Sequence, residues 1–248
     1  MLIVEGVEKV YKTGGLFSKE KQKILKNVSF ECKSGECIGI IGESGSGKST
    51  LGRLLIGIEQ PDAGRVLFEG RSVNDRLTRL GSMSAVFQDY KSSINPFFTV
   101  EQAIIEPIRV KKSNKIDIES RVDYLLNQVG LDYSYKEKYP HELSGGQVQR
   151  VCIARAIATE PTCILLDEAI SSLDISIQVQ ILKLLKELKE IYRIGYIFIT
   201  HDIQAAAYIC DRIIIFKNGK IEETVETSNL KNVQSEYARE LLQKLITF

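Results

Sequence analysis

Between positions 42 and 49 the chain reads Gly42-Glu43-Ser44-Gly45-Ser46-Gly47-Lys48-Ser49, in which four residues separate Gly42 from Gly47 and a cation and a hydroxyl follow. Glycines free of Cβ atoms let successive backbone N–H groups wrap an anion, and a helix opening at this point adds partial positive charge. In such a loop the amine of Lys48 reaches the outer phosphates and the hydroxyl of Ser49 ligates Mg²⁺. Downstream, Ile164-Leu165-Leu166-Asp167-Glu168 is an apolar run closed by two carboxylates. As a strand it would deliver them to the C-terminal edge of a sheet, where open α/β sheets bind ligands. Asp167 would hold the magnesium through water, and Glu168 would polarise an attacking water. A second phosphate cradle is read at Leu143-Ser144-Gly145-Gly146-Gln147, where Ser144 and Gln147 have the spacing of a capping box at a positive helix end. His201 directly follows the apolar run Tyr196–Thr200, a place from which its imidazole could meet a terminal phosphate.

These residues need elements to hold them. Cys37 to Ile41 reads as a strand entering the phosphate loop, and a helix is expected from about Lys48 to Ile58, broken by Pro61-Asp62-Ala63-Gly64 before a β segment at Val66 to Phe68. Upstream, Leu2 and Val4 alternate with polar neighbours and Val28-Ser29-Phe30 is a second short strand, with the Gly- and Lys-rich stretch from Lys12 to Gln22 an exposed connection. From about 99 to 158 no strand pattern intervenes. Thr99 can cap a helix with Gln102, Ile118 to Val129 has helical spacing and stops at Gly130, and a further helix is expected over Val148–Ala158, so an inserted helical subdomain is expected.

Strand and helix then alternate: Ile164–Asp167, Ile177–Ile191, Tyr196–Thr200 and Ile203–Cys210, with a hairpin turning at Asn218-Gly219. Ile177, Ile181, Leu184, Leu185, Leu188 and Ile191 form one stripe expected to face the core. The alternation predicts an α/β fold with a mostly parallel sheet, an antiparallel β portion at the N-terminus and the helical insertion, all within one domain of 248 residues.

Composition limits the partners. Lys and Arg number 33 against 32 Asp and Glu, so no global field draws the chain to nucleic acid. The longest apolar runs fall well short of the ~18–20 residues that cross a bilayer. The first residues lack the pattern of a secretory signal, which points to a cytosolic setting. Five cysteines without a C-x-x-C pair, beside only two histidines, give no zinc spacing and read as buried, reduced thiols.

The set resembles the nucleotide-binding domain of an ABC transporter. It matches in the phosphate loop, in Gln88 after the strand Ser84–Phe87, in the Leu143–Gln147 signature, in Ile164–Glu168, in Ser171-Ser172-Leu173-Asp174 and in Thr200-His201-Asp202, all in family order. The resemblance implies a P-loop NTPase core that hydrolyses ATP with Mg²⁺. ATP would be bound by Tyr11, stacked on adenine, and by Gly42, Glu43, Ser44, Gly45, Ser46, Gly47, Lys48, Ser49 and Thr50. Glu168, His201 and Gln88 would be catalytic, with Ser49, Gln88 and Asp167 around magnesium. In the family two such domains close head to tail, which implies that Ser144, Gly145, Gly146, Gln147 and Asp174 contact ATP in trans. Ala169-Ile170 replaces the family's usual Pro-Thr and Ser172 its usual Ala, and neither change removes a reacting group.

Three details resemble the ATPases of peptide and nickel importers: the segments Gly14–Lys23, Gln88–Pro96 and Ser235–Leu242. No cysteine follows Cys210, whereas peptide-importer members often carry a later cysteine cluster, so the expectation leans to nickel or cobalt, free or chelated. The implied assembly has a second ATPase subunit in a heterodimer, two membrane permease subunits and an extracellular solute-binding protein, with this chain peripheral on the cytoplasmic face. The segment from Gln88 to Pro107, with Asp89, Tyr90, Ile94, Pro96, Phe97 and Phe98, carries more apolar groups than a solvated loop needs and is the expected membrane-partner contact. A soluble ABC ATPase of repair or translation is the competing class.

Overall fold

The computed structural model describes residues 1–12, 21–89, 93–111 and 118–246, in two compact units, Met1–Arg79 with Gly195–Phe248 and Leu80–Ile194. The first unit opens with two long antiparallel strands, β1 (Leu2–Lys12) and β2 (Lys21–Cys32), paired from Leu2↔Cys32 to Lys12↔Lys21. Both are longer than the alternation of Leu2 and Val4 predicts. The cause is a pair of bulges: Gly6 at φ 57 and Asn27 at φ 56 each absorb a residue, so Val7 and Val28 return to the buried face out of period. The connection expected from Lys12 to Gln22 lies largely outside the described residues, as does most of the segment Gly14–Lys23.

All five residues of β3 (Cys37–Ile41) are buried, and the chain then passes the phosphate loop into α1 (Lys48–Leu55). This helix stops before the expected Ile58 because Gly57 takes φ 65, and a Cβ there would meet the Val73 carbonyl at 2.3 Å. β4 (Ala63–Phe68), β5 (Arg71–Ser72) and the short α2 (Arg76–Arg79) follow, giving an antiparallel sheet in the order β2-β1-β4-β5.

The second unit pairs β6 (Met83–Phe87) with β7 (Cys163–Asp167), parallel and in register from Met83↔Cys163 to Phe87↔Asp167. Between them come α3 (Val100–Lys111), α4 (Ile118–Gln128) and α5 (Gly145–Ile157), and no strand lies among the described residues from Val100 to Ile157. Thr99 caps α3 as its spacing predicts: Gln102 N–H donates to Thr99 Oγ1 at 3.3 Å and Thr99 N–H to Gln102 Oε1 at 3.0 Å. Ile104 and Ile108 of α3, Val122 and Leu125 of α4, and Val151 and Ile153 of α5 are buried, and each side chain so placed contributes roughly 1.5–3 kcal/mol. α6 (Ile175–Tyr192) buries Ile181, Leu184, Leu185 and Leu188, but the expected stripe fails at its ends. Ile191 is 59% exposed because the helix closes on Arg193 at φ 53 just beyond it, and Ile177 is half-buried.

The chain returns to the first unit with β8 (Gly195–Thr200), α7 (Ile203–Ile209), β9 (Arg212–Lys217), β10 (Lys220–Glu226) and α8 (Glu236–Ile246). β3 is parallel to both β8 and β9, and β10 is antiparallel to β9 across a two-residue turn at Asn218 (φ 48) and Gly219 (φ 79). The fold is α/β, its central strands mostly parallel, with a separate antiparallel β portion from the N-terminal residues.

Candidate functional site

In the first unit the phosphate loop leaves β3 beside the end of β8. Ile41 pairs with Thr200, so Gly42 and His201 emerge side by side at the C-terminal ends of parallel strands. Gly42 has no room for a side chain, since a Cβ would lie 2.1 Å from the Phe216 carbonyl oxygen of β9. Gly45, at φ 77, faces open space instead. Gly47 (φ 105) is the N-cap of α1 and offers no capping side chain, so the first N–H groups of the helix carry no side-chain cap. That is the helix end an anion occupies.

Lys48 is buried at 4% exposure, and its Nζ donates to the carbonyls of Gly42 (2.8 Å) and Glu43 (2.9 Å). The amine therefore already sits inside the loop. Ser46 Oγ is buried and makes no hydrogen bond, an orphaned polar group of the kind a phosphate oxygen satisfies. Glu43 and Ser44 are exposed and Ser49 is half-exposed at the start of α1. Thr50 is buried, and its Oγ1 accepts from Arg53 Nη2 at 3.2 Å.

That arginine belongs to a network which ties Tyr11 to the helix. Arg53 Nε donates to Glu59 Oε1 at 2.6 Å, its Nη2 reaches Tyr11 Oη at 3.5 Å, and Tyr11 Oη donates to Glu59 Oε2. Lys9 Nζ stands 3.6 Å from the same carboxylate and 5.5 Å from the Tyr11 ring centroid. Burial works against ionisation of Glu59, yet the hydrogen bonds from Tyr11 and Arg53 outweigh it and hold the carboxyl below its usual range. The Tyr11 ring is thus fixed by its hydroxyl end. Neither Arg53 nor Glu59 stands at a spacing that sequence reasoning recognises.

His201 is exposed, and the two residues around it shape the turn. Asp202 N–H donates to Thr200 Oγ1 at 3.0 Å, and Asp202 Oδ1 accepts from Gln204 and Ala205 N–H as the N-cap of α7.

The second unit repeats the strand-end arrangement. Phe87 pairs with Asp167, so Gln88 and Glu168 follow at the same end of β6 and β7. Asp167 is buried at 7% exposure and Gln88 is exposed. Glu168 takes φ 47, a left-handed conformation uncommon outside glycine, and its carbonyl accepts from Ser171 Oγ at 2.9 Å and from Ser171 N–H. Holding a carboxylate-bearing residue there costs about 1 kcal/mol, the kind of local strain found at reacting sites.

Ser144 caps α5 as a full capping box: Ser144 N–H donates to Gln147 Oε1 at 2.9 Å and Gln147 N–H to Ser144 Oγ at 3.4 Å. The helix therefore begins at Gly145, three residues before the expected Val148. Gln147 Nε2 also donates to Tyr135 Oη at 2.9 Å, which fixes the amide. Gly146 faces Ile177 of α6, where a Cβ would stand 2.8 Å from Cγ2, so the second glycine serves close helix packing. Asp174, exposed, is the N-cap of α6 but its side chain makes no capping bond.

A cavity of about 380 Å³ lies in this unit, lined by Phe87, Ser93, Pro107, Cys152 and Arg155 among others. Arg155 spans its edge, donating to the Ser93 carbonyl (2.9 Å) and to Glu106 (2.6 Å). Of the apolar residues expected to face a membrane partner, Phe97 is 84% exposed, whereas Ile94 is buried and anchors the segment. Tyr90 lies outside the described residues.

Comparison with known proteins bears on both units. A family model described as ABC transporter matches residues 25–171. The metal-staphylopine import system ATP-binding protein CntF of Staphylococcus aureus (strain NCTC 8325 / PS 47) is 51% identical over 249 residues, covering 100% of each chain. The nickel import ATP-binding protein NikE of Escherichia coli O157:H7 is 39% identical, over 99% of this chain and 94% of that protein. Among solved structures, the dimeric post-hydrolysis state of the ATP-binding cassette MJ0796 bound to ADP and Pi aligns with a TM-score of 0.82 at 33% identity, over 92% of this chain and 99% of that one. CbiO1 from Clostridium perfringens, part of the transporter complex cbiONQ, aligns with a TM-score of 0.78 at 28% identity, over 98% and 93%.

Proposed function

The chain belongs to the ABC transporter family, and from that membership we propose that it is the ATP-hydrolysing subunit of an importer of divalent metal, nickel or cobalt, free or chelated by a metallophore. The observation that carries this reading is end-to-end identity of 51% with a metal-staphylopine import ATPase. ATP is bound by the phosphate loop, with Lys48 and the open start of α1 holding phosphates and Tyr11 stacked on adenine. Glu168 orients the attacking water and accepts its proton. His201 contacts the terminal phosphate.

Ser49, Gln88 and Asp167 would hold Mg²⁺, and the set fits: all three offer oxygen ligands, the donors a hard cation takes. Bound there, the ion would offset the charge of the outer phosphates. Ser144, Gly145, Gly146, Gln147 and Asp174 contact the nucleotide held by a second ATPase subunit, with which this chain forms a heterodimer. Two membrane permease subunits and an extracellular binding protein complete the system, and the chain sits peripherally on the cytoplasmic face of the membrane. In keeping with this, no helix among the described residues is long and apolar enough to cross a bilayer. The segment from Gln88 to Pro107, on which Phe97 is exposed, is the contact for a permease.

The test is uptake of radiolabelled nickel, cobalt and a tripeptide, side by side, in cells lacking this subunit. Loss of metal uptake under metal limitation supports the reading. Loss of peptide uptake alone moves the chain to the peptide importers.

A further inference from the structure

The phosphate loop is braced from the far end of the chain. The N–H of Glu43 donates to the hydroxyl of Tyr237 at 3.3 Å, across 194 positions. The carbonyl of Glu43 accepts from Lys48 Nζ, so both peptide groups of this loop residue are engaged. Four residues after Gly42, the carbonyl of Ser46 accepts from the N–H of Gly219 at 2.9 Å, in the β9–β10 turn.

Tyr237 is itself held firmly. It lies in the first turn of α8, 7% exposed, with Lys217 Nζ 4.2 Å from its ring centroid. The start of α8 is fastened to β10 by one carboxylate: Glu223 accepts from the N–H groups of Gln234 and Ser235, at 2.9 Å for its shortest contact with each. Ser235 Oγ in turn accepts from Ala238 N–H at 3.0 Å. The same hairpin thus carries Gly219 at its turn and the anchor of α8 on its second strand. Both reach the phosphate loop.

We propose that Tyr237 is a positioning residue for nucleotide binding, its hydroxyl setting the peptide plane at Glu43 and coupling α8 to occupancy of the phosphate loop. The inference rests on the reading of that loop as the ATP site. An N–H used by Tyr237 is not offered to a phosphate, so the contact acts by geometry: it fixes the second residue of the loop, whose carbonyl in turn accepts from Ser46 N–H at 3.3 Å. If the hydroxyl is removed, Glu43 N–H loses its partner and the loop gains alternatives that do not bind.

The experiment compares the full chain with Tyr237→Phe, which keeps the ring and its contact with Lys217. ATP affinity is measured by fluorescence titration, and KM and kcat by ATPase assay on the assembled transporter. A neutral hydrogen bond is worth roughly a three- to tenfold change in an equilibrium constant. Tyr237→Phe should raise Kd and KM for ATP by about that factor, with kcat at saturating ATP within about twofold of wild type. If Tyr237 only packs α8 against the domain, a folded Tyr237→Phe binds ATP with wild-type affinity, and the proposal fails. A fall in kcat with KM unchanged overturns it as well.

Because coupling is reciprocal, ATP added to the wild-type chain should slow hydrogen exchange in the first turns of α8. That readout needs no variant, and unchanged exchange refutes the coupling. Lys48→Ala separates the two levels of inference. It should abolish binding outright, and normal binding in that variant would remove the ATP-site reading on which Tyr237 depends.

Discussion

At the scale of single residues, Glu168 combines two properties: it ends an apolar strand beside the buried Asp167, and it holds a left-handed backbone angle. Glu168→Gln keeps that geometry and removes the charge and the proton acceptor. Hydrolysis by the assembled transporter should fall at least about a hundredfold while ATP affinity stays within a few-fold, measured by phosphate release and by nucleotide titration. Unchanged turnover would remove Glu168 from the chemistry. Phe97 is the second residue with a sharp expectation. At 84% exposure it contributes little to folding, so Phe97→Glu should leave the melting temperature nearly unchanged and uncouple ATPase activity from metal uptake. Fully coupled uptake in that variant would displace the permease contact to another surface. The residues with strict spacing, from Gly42 to Ser49 and from Ser144 to Gln147, were legible in the sequence because short-range geometry dictates their types. Arg53, Glu59 and Tyr237 were not, since each acts through a side chain that meets the site only after folding.

At the scale of elements, β3, β7 and β8 are readable as apolar runs, each ending beside a candidate residue, and β6 through the resemblance alone. The lengths of β1 and β2 are not, because the bulges at Gly6 and Asn27 shift the buried face by one residue and break the period that reveals a strand. The start of α5 was also missed. Its capping box was recognised, but two glycines argue against a helix until packing against Ile177 explains the second of them. The β9–β10 turn was recognised from Asn218-Gly219, though not its second task. A Cβ at Gly219 would stand 1.9 Å from the Ile24 carbonyl oxygen, in a backbone conformation that side chains disfavour. Gly219→Ala should therefore cost roughly 3 kcal/mol, lowering the melting temperature by about 10 °C, and weaken ATP binding in the same step. Gly70→Ala is the control. It has a similar φ of 76 with nothing within 4 Å, so only the backbone cost of about 1 kcal/mol should appear, with ATP affinity intact. Equal losses in the two variants would mean that the close approach at Gly219 is relieved by local movement.

At the scale of the whole molecule, all five cysteines are buried and none is in a disulfide. Burial pushes the thiols of Cys152 and Cys163 up to about 12, far from the thiolate form that reacts. A thiol reagent at pH 7.5 should therefore label the native chain slowly or not at all, and label five groups once denaturant is added. Rapid labelling of either residue in the native state would reveal local opening of its unit. The sequence marks an inserted helical subdomain at about 99 to 158; the second compact unit runs from Leu80 to Ile194 and takes β6, β7 and α6 together with those helices. Strand patterns show which segments are buried but not which segments share the densest contacts.

The bracing of the phosphate loop from distant residues also sets an order of events during synthesis. A ribosome makes the loop early, yet 194 positions pass between Glu43 and the tyrosine that holds it. At about 5–20 residues per second that interval lasts roughly 10–40 s. Through it the nascent chain carries a complete nucleotide fingerprint whose Glu43 and Ser46 contacts cannot yet form. The brace on Glu43 thus arrives only with α8, so a nascent chain that has not reached it should hold ATP less tightly than the folded protein, by about the same three- to tenfold as Tyr237→Phe.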